Sequence, residues 1–229
     1  MTKKIFIAAI FTTLLFLQGW AQDSRKFNIE FQFTPELTWL KPKSQILEGR
    51  GSNIGFSFGP VFDYNFGDNY AFSTGITINR SNGGLTYKDT TRFNTQSDIL
   101  YDKGSIVEYK LQYVEIPLAI KLKTNEIGYM TYFGCFGIVP AVNISAKGTF
   151  ENSSTPNNKF TPESIKKDVT LPNVSMLISA GAEYGLSTNT SAFVSVNFYN
   201  GLIDVTRNPK GFKSKAIMNR VGLTVGILF

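Results

Sequence analysis

The sequence predicts an all-β fold, an eight-stranded antiparallel up-and-down transmembrane β-barrel. Three observations favour it: eight segments alternate large apolar with small or polar residues, the connections between them alternate between long and short, and aromatic residues concentrate near one end of the strands. A period of two places one set of side chains on each face of a strand. An apolar face opposite a polar one suits a wall with lipid outside and a lumen within.

The first 21 residues are predicted to be a cleaved signal peptide. Lys3 and Lys4 precede an apolar run over residues 5–17, and Gly19-Trp20-Ala21 offers small residues at the spacing that a signal peptidase needs. A membrane anchor is the alternative, but the run is shorter than the ~20 residues of a spanning helix. Residues 22–229 are then predicted to form one domain, the barrel.

Composition excludes several function classes. The net charge of +6 is mild and spread along the chain, so it predicts no nucleic-acid partner. Cys135 is the only cysteine and histidine is absent, which excludes an intramolecular disulfide and a zinc site built on His or Cys. Small-barrel enzymes that use a catalytic histidine are excluded as well. An Asp-based protease or a Lys base is the alternative, but no residues at motif spacing support either. We therefore predict no enzymatic activity, no cofactor and no metal, and interpret Cys135 as a buried, small apolar side chain.

The last predicted strand, residues 215–229, has the clearest pattern. Its apolar face is interrupted only by Asn219, its other face is small or polar apart from Met218 and Leu228, and the chain ends on Phe229. A terminal aromatic residue on the apolar face resembles the closing strand of bacterial outer-membrane barrels. The resemblance implies that the barrel assembly machinery recognises this C-terminal strand.

Seven further strands are predicted, over residues 27–40, 53–64, 70–79, 106–123, 129–144, 173–184 and 191–202. In the strand over 106–123 the apolar residues occupy odd positions up to Tyr113 and even positions from Val114 onward. A shift of one residue moves every side chain to the other face, so we predict a β-bulge near Tyr113-Val114. Pro117, which lacks a backbone donor, fits beside such an irregularity.

The connections and the aromatic residues predict the orientation. Long connections over 41–52, 80–105, 145–172 and 201–214 are expected outside the cell, and the short turns in the periplasm. Trp39 and Phe198 would mark the outer rim. The residues expected in an aromatic girdle at the periplasmic end are Phe27, Phe62, Tyr64, Tyr70, Phe72, Tyr132, Tyr184 and Phe229.

One segment resembles a known family. Tyr113-Val114-Glu115-Ile116-Pro117-Leu118, followed by Lys121, resembles the "(L/Y)-x-E-I-P-L-L-L-K" strand of the PorT-like outer-membrane β-barrel family of Bacteroidota, although Ala119 stands where a larger aliphatic residue is usual. Gly181-Ala182-Glu183-Tyr184 and residues 221–229 are similar to later strands of that family. The resemblance implies an eight-stranded barrel in the outer membrane of a Gram-negative bacterium, and the family's namesake takes part in type IX protein secretion.

A set of charged residues is predicted to face the lumen: Glu30, Glu36, Asp63, Glu115, Lys121, Glu183 and Arg220. In a closed barrel the last strand pairs with the first, so Arg220 can approach Glu30 or Glu36. Because buried charges must be paired, a salt-bridged structural network is the favoured interpretation. A gated proton or ion path is the alternative, which the narrow interior of an eight-stranded barrel disfavours.

These predictions favour a non-enzymatic surface barrel whose long loops, over 80–105 and 145–172, contact a partner protein or surface glycan. A component of the secretion machinery, binding through its periplasmic turns, and a narrow channel are the alternatives. The outer loops also carry scattered Lys and Arg. These are either solvated or contact the phosphates of lipopolysaccharide, which together with outer-membrane lipid would surround the barrel.

Overall fold

The computed structural model describes residues 26–94, 100–151, 162–207 and 214–229. The predicted signal peptide lies outside the described residues. Among the described residues, no helix has the length and apolar character needed to cross a membrane. The described strands are β1 (Phe27–Pro42), β2 (Leu47–Gly49), β3 (Asn53–Gly67), β4 (Tyr70–Gly75), β5 (Thr77–Tyr87), β6 (Thr91–Arg92), β7 (Leu100–Tyr101), β8 (Ile106–Glu115), β9 (Leu118–Lys123), β10 (Met130–Glu151), β11 (Glu163–Ser164), β12 (Pro172–Ser187), β13 (Thr190–Gly201) and β14 (Ala216–Leu228).

The strand pairings form a closed, antiparallel ring. β1 pairs with β14 on one side and β3 on the other. β3 pairs with β4 and β5, which pair in turn with β9 and β8, and β10 pairs with both of these. The ring continues through β12 and β13 to β14. A closed ring satisfies the backbone groups that an open sheet edge would expose, which is the condition for strands to cross a membrane.

Side chains alternate between the two faces of the wall as the period of two predicts. In β1, Phe31, Phe33 and Leu37 point outward and are about half exposed, whereas Thr34 and Glu36 point inward and are buried. The outer surface of the wall therefore presents a band of large apolar side chains. The side chains of β1 that face the barrel interior at the same height are polar. We refer below to the turn end of the barrel, where the short connections and Phe229 lie, and to the opposite loop end.

The prediction of a bulge in the strand over 106–123 is wrong. Odd-numbered residues point inward along the whole of β8 and β9, so Tyr109 and Tyr113 are buried in the interior. The irregularity lies instead on the neighbouring strand, where the register of β10 against β8 shifts between Asn143 and Ser145, opposite Tyr113. The apolar residues of β8 were misassigned because the interior itself becomes apolar towards the loop end.

The strands also extend farther than predicted. β5 continues to Tyr87 and β10 to Glu151, so the predicted long loops over 80–105 and 145–172 begin as paired strands. Their inward side chains form the loop-end core, a buried apolar cluster of Leu40, Leu47, Leu85, Tyr87, Phe93, Tyr101, Val107, Tyr109, Leu111, Tyr113, Ala141, Ala146, Phe150, Ile165, Val169, Val205, Ala216 and Met218. The interior of the barrel is therefore filled with side chains at the loop end.

Pro117 occupies a break in the wall. β8 ends at Glu115 and β9 begins at Leu118, while β4 and β5 are separated by Ile76 at the same height. The register is continuous across the break, since Thr74 faces Leu118 and Thr77 faces Glu115. Proline has no N–H to donate to the neighbouring strand, so it explains why the ladder stops here without a change of phase.

Gly137 of β10 is needed where β9 resumes. A Cβ atom at Gly137 would lie 2.2 Å from the carbonyl oxygen of Leu118, whereas one at Gly134 would make its nearest contact at 3.6 Å, with the carbonyl oxygen of Ser179. We expect Gly137→Ala to lower the free energy of unfolding by roughly 1–3 kcal/mol because the backbones must separate. Gly134→Ala, on the same strand, is the control and should change it little. Urea unfolding in lipid vesicles measures both, and equal stabilities would contradict the predicted clash.

Candidate functional site

The structure places all seven charged residues predicted for the lumen inside the barrel, where each is at least nine-tenths buried. They divide into two clusters, each centred on one cation. The turn-end cluster consists of Lys121 with Glu30, Asp63 and Glu183, and the loop-end cluster of Arg220 with Glu36 and Glu115.

Lys121 of β9 holds the turn-end cluster together. Its Nζ lies 2.5 Å from Glu30 Oε1 of β1 and 2.8 Å from Asp63 Oδ2 of β3. A third contact, 2.7 Å to Glu183 Oε1 of β12, is an ion pair without hydrogen-bond geometry. Ser73 Oγ also donates a hydrogen bond to Asp63 Oδ1. One cation therefore joins three carboxylates from strands spread around the ring.

Two aromatic rings lie beside the same cation. Lys121 Nζ is 4.6 Å from the ring centroid of Phe133 and 5.9 Å from that of Phe193. Phe133, Phe193 and Leu228 form a small apolar cluster, the turn-end core. In the sequence, Leu228 is an exception to the small or polar face of the last strand, and Phe193 likewise interrupts the inward polar face of the strand over 191–202. Inward aromatic residues are the signal that could have indicated a ring stacked on a buried cation.

Arg220 of β14 organises the loop-end cluster. Its guanidinium lies 3.3 Å from Glu36 Oε2 and 3.0 Å from Glu115 Oε1, and its Cζ lies 4.1 Å from the ring centroid of Tyr199. Asn79 Nδ2 donates a 2.8 Å hydrogen bond to Glu36 Oε2. Both carboxylates are thus paired with the cation, and one has a further donor.

Register explains which glutamate Arg220 reaches. Arg220 faces Thr38 on β1, and Glu36 is two residues away on the same inward face, a diagonal cross-strand neighbour. Glu30 faces Leu228 instead, eight positions farther along, which corresponds to roughly 26 Å at 3.3 Å per residue. Of the two partners predicted for Arg220, the structure brings Glu36 into contact and assigns Glu30 to Lys121.

Polar side chains and a small cavity lie between the charged clusters. Thr34 and Thr224 hydroxyls are 2.7 Å apart, and Asn197 Nδ2 donates to Thr224 Oγ1. A cavity of about 60 Å³ touches Lys121 and Glu115. That volume is large enough to admit water. Five carboxylates face two cations across this interior, so the arrangement is suited to hold buried water and charge in place.

The loop-end core closes the interior above Arg220. Tyr101 stacks on Phe150 with ring centroids 4.6 Å apart, and the hydroxyls of Tyr87 and Tyr109 are 2.5 Å apart. Asp168 is buried at this end, where it accepts hydrogen bonds from the backbone N–H and the side-chain amide of Asn94. Burial raises the pKa of Asp168, and the two hydrogen bonds oppose that rise.

The sequence and the closed ring of strands together identify the family of the protein. Residues 20–207 match the model of the family described as the outer membrane protein beta-barrel domain. The chain belongs to this family of outer-membrane β-barrels. Membership places it in the outer membrane, and the closed antiparallel ring with an apolar outer wall is the fold that this location requires.

Several solved outer-membrane barrels are similar to this family member at low sequence identity. Neisserial surface protein A is 11% identical over 88% of this chain and 95% of that one, with a TM-score of 0.48. OprG from Pseudomonas aeruginosa is 10% identical over 89% and 94%, with a TM-score of 0.45. The outer membrane protease OmpT from Escherichia coli is 10% identical over 90% and 96%, with a TM-score of 0.44. No curated protein matches the sequence significantly.

The C-terminal residue completes the wall of this outer-membrane barrel. Phe229 N–H donates to the carbonyl of Ile29 at 2.9 Å, and Ile29 N–H donates back to Phe229 at 3.0 Å. The Phe229 ring packs edge-on against Phe31 with centroids 6.4 Å apart and is about half exposed. Phe229 therefore extends the pairing of β14 with β1 by one residue and adds to the outer apolar band.

Proposed function

We propose that this protein is a non-enzymatic outer-membrane barrel with a structural and binding role, resembling the PorT-like family of Bacteroidota. It is exported through the predicted signal peptide and crosses the membrane eight times. The loop end faces the outside of the cell, where it contacts a partner protein or surface glycan. The observation that carries the proposal is the loop-end core, which gives the loops a rigid, paired base and fills the interior beneath them.

The count of eight crossings rests on how the strands share the ring. β4 and β5 follow one another along a single path, interrupted only at Ile76, and β8 and β9 do the same around Ile116-Pro117. Counting each pair as one crossing, together with β1, β3, β10, β12, β13 and β14, supports the proposed number of eight. An even number lets both chain ends lie on the same side of the membrane.

The interior supports a structural rather than a catalytic role. Each carboxylate of the two clusters lies within ion-pair distance of Lys121 or Arg220, so none of the five is poised as an unpaired acid or base. The sequence also lacks histidine, the commonest general base. Activity assays of the purified barrel against peptide and lipid ester substrates should therefore detect no turnover.

Photo-cross-linking on living cells tests the binding role. A photoreactive residue placed at exposed Thr90 or Lys167 probes the loop end, and one at exposed Asp68 or Asn189 probes the turn end. We expect one discrete adduct from the loop-end positions and none from the turn-end positions. The same adduct must form when the purified barrel is mixed with the identified protein or glycan. Adducts from the turn-end positions alone would contradict the proposal.

A role in type IX secretion is the second candidate, favoured by the segment from Tyr113 to Leu118 and by Lys121. Deleting the gene in its native host and comparing exported proteins with those in the periplasm tests this role. Accumulation of many unrelated cargo proteins in the periplasm, reversed when the gene is restored, would assign the protein to secretion. Unchanged export would exclude that role for this chain.

A further inference from the structure

Three cations lie side by side on the outer surface of the wall near the loop end. Arg80 of β5, Lys110 of β8 and Lys147 of β10 are exposed, and the residues on either side of each point inward and are buried. Lys110 and Lys147 face each other directly across β8 and β10. Arg80 faces Gln112 and is therefore a diagonal neighbour of Lys110. We call these three residues the basic patch.

The direct pairing of Lys110 with Lys147 is electrostatically unfavourable when no anion lies beside it. Directly opposed side chains on one face of a sheet have Cβ atoms about 4.5–5.5 Å apart, and like charges at that distance destabilise the pairing. Within the residues that the structure describes, none of the three cations forms an ion pair, and Glu108, the next outward residue of β8, forms none with them. Among the described residues, no carboxylate is paired with these cations to offset their repulsion.

The position of the basic patch indicates where that anion comes from. Towards the turn end, the next outward residue of β8 is Gln112, which lies level with Arg80. Farther towards the turn end, the outward residues on the same strands are Ile78, Val114 and, on β10, Ile144 and Val142, which belong to the apolar band. The three cations therefore lie at the boundary of this band, the height at which lipid headgroups meet a barrel. Lys166 adds a further cation nearby, because its Nζ lies 3.5 Å from the carbonyl oxygen of Ile144 on β10.

We propose that the basic patch binds the phosphate group of a phosphorylated lipid headgroup in the outer leaflet. The inference rests on the proposed orientation, with the loop end outside. Two lysines provide point charges and the arginine a planar fork of donors, a combination that neutralises a phosphate through charge-assisted hydrogen bonds. The acyl chains of the same lipid lie along the apolar band beneath. The protein thereby retains specific lipid at one side of the barrel.

The test compares two triple variants in nanodiscs of phosphatidylcholine. Arg80→Gln/Lys110→Gln/Lys147→Gln removes the basic patch, and Lys41→Gln/Lys43→Gln/Lys215→Gln removes three charges from the rim of β1 and β14. Bisphosphorylated lipid A and its dephosphorylated form are the probes, and native mass spectrometry counts the lipid retained. The altered side chains are at the surface, and the mobility shift on heating verifies folding.

We expect wild type and the rim variant to bind bisphosphorylated lipid A equally, and the patch variant to bind it about tenfold more weakly or worse, since each cation near a membrane surface contributes to anion binding. Dephosphorylated lipid A should bind all three weakly. If the patch variant and the rim variant lose lipid A binding equally, overall charge explains the effect and the proposal is overturned. Equal binding of bisphosphorylated and dephosphorylated lipid A by the wild type would overturn it as well. The photo-cross-linking experiment tests partner binding by the loops and does not depend on lipid binding by the basic patch. Failure of one proposal can therefore be told from failure of the other.

Discussion

Replacing Arg220 by leucine is expected to lower the free energy of unfolding by about 3–5 kcal/mol, the cost of breaking a buried ion pair by removing one partner. The variant leaves Glu36 and Glu115 buried without their shared cation and removes the stacking on Tyr199. Urea unfolding of the barrel in lipid vesicles measures the change.

A compensating variant separates the ion pairs from simple loss of packing. Glu36→Gln and Glu115→Gln, added to Arg220→Leu, remove the unpaired charge and should restore a large part of the lost stability. Lys215→Leu, at an exposed position just before β14, is the control and should change stability by less than about 0.5 kcal/mol. If the triple variant is no more stable than Arg220→Leu, unpaired carboxylates are not the cause of the loss.

Lys121→Met is expected to have a larger effect than Arg220→Leu, because one cation here serves three carboxylates instead of two. Methionine keeps most of the apolar stem beside Phe133 and Phe193, so the charge is the main change. We expect a loss at or above the upper end of the range of about 3–5 kcal/mol, or failure to refold. The mobility shift of the folded barrel on gels and urea unfolding measure both outcomes.

Adding Glu30→Gln, Asp63→Asn and Glu183→Gln to Lys121→Met keeps the prediction testable if the single variant does not refold. The quadruple variant has no buried charge in this cluster and should refold where Lys121→Met does not. Lys123→Met, two residues along the chain and partly exposed, is the matched control and should refold like the wild type. Failure of the quadruple variant with normal refolding of the control would show that Lys121 matters for another reason.

The outward apolar faces were predictable from sequence because lipid and lumen impose opposite demands on alternate residues. The outward positions of β1, β3, β12, β13 and β14 follow this rule in the membrane band, although Phe193 and Leu228 add large apolar side chains to the inward face. The rule fails where the surroundings change. Beyond the band, the inward residues of β8 pack into the loop-end core, so apolar side chains there indicate a filled interior and not lipid.

The composition of the charged interior was predictable, but its division into two clusters was not. Alternation alone shows that Glu30, Lys121 and Arg220 share the inward face. Which of them meet depends on the register of each strand against its neighbours, and on side-chain reach across the lumen. Lys121 contacts carboxylates from β1, β3 and β12, none of which pairs directly with β9 in the ring. Contacts across a barrel interior carry no short-range sequence signal.

Because ion-paired clusters and apolar clusters fill the barrel interior, we propose that the protein does not conduct ions. Single-channel recording of the refolded, full-length mature chain in planar lipid bilayers tests this most directly, with an open porin as the positive control. We expect current indistinguishable from that of protein-free bilayers at moderate voltage. Regular conductance steps at moderate voltage that require folded protein would contradict the account and identify the protein as a narrow channel.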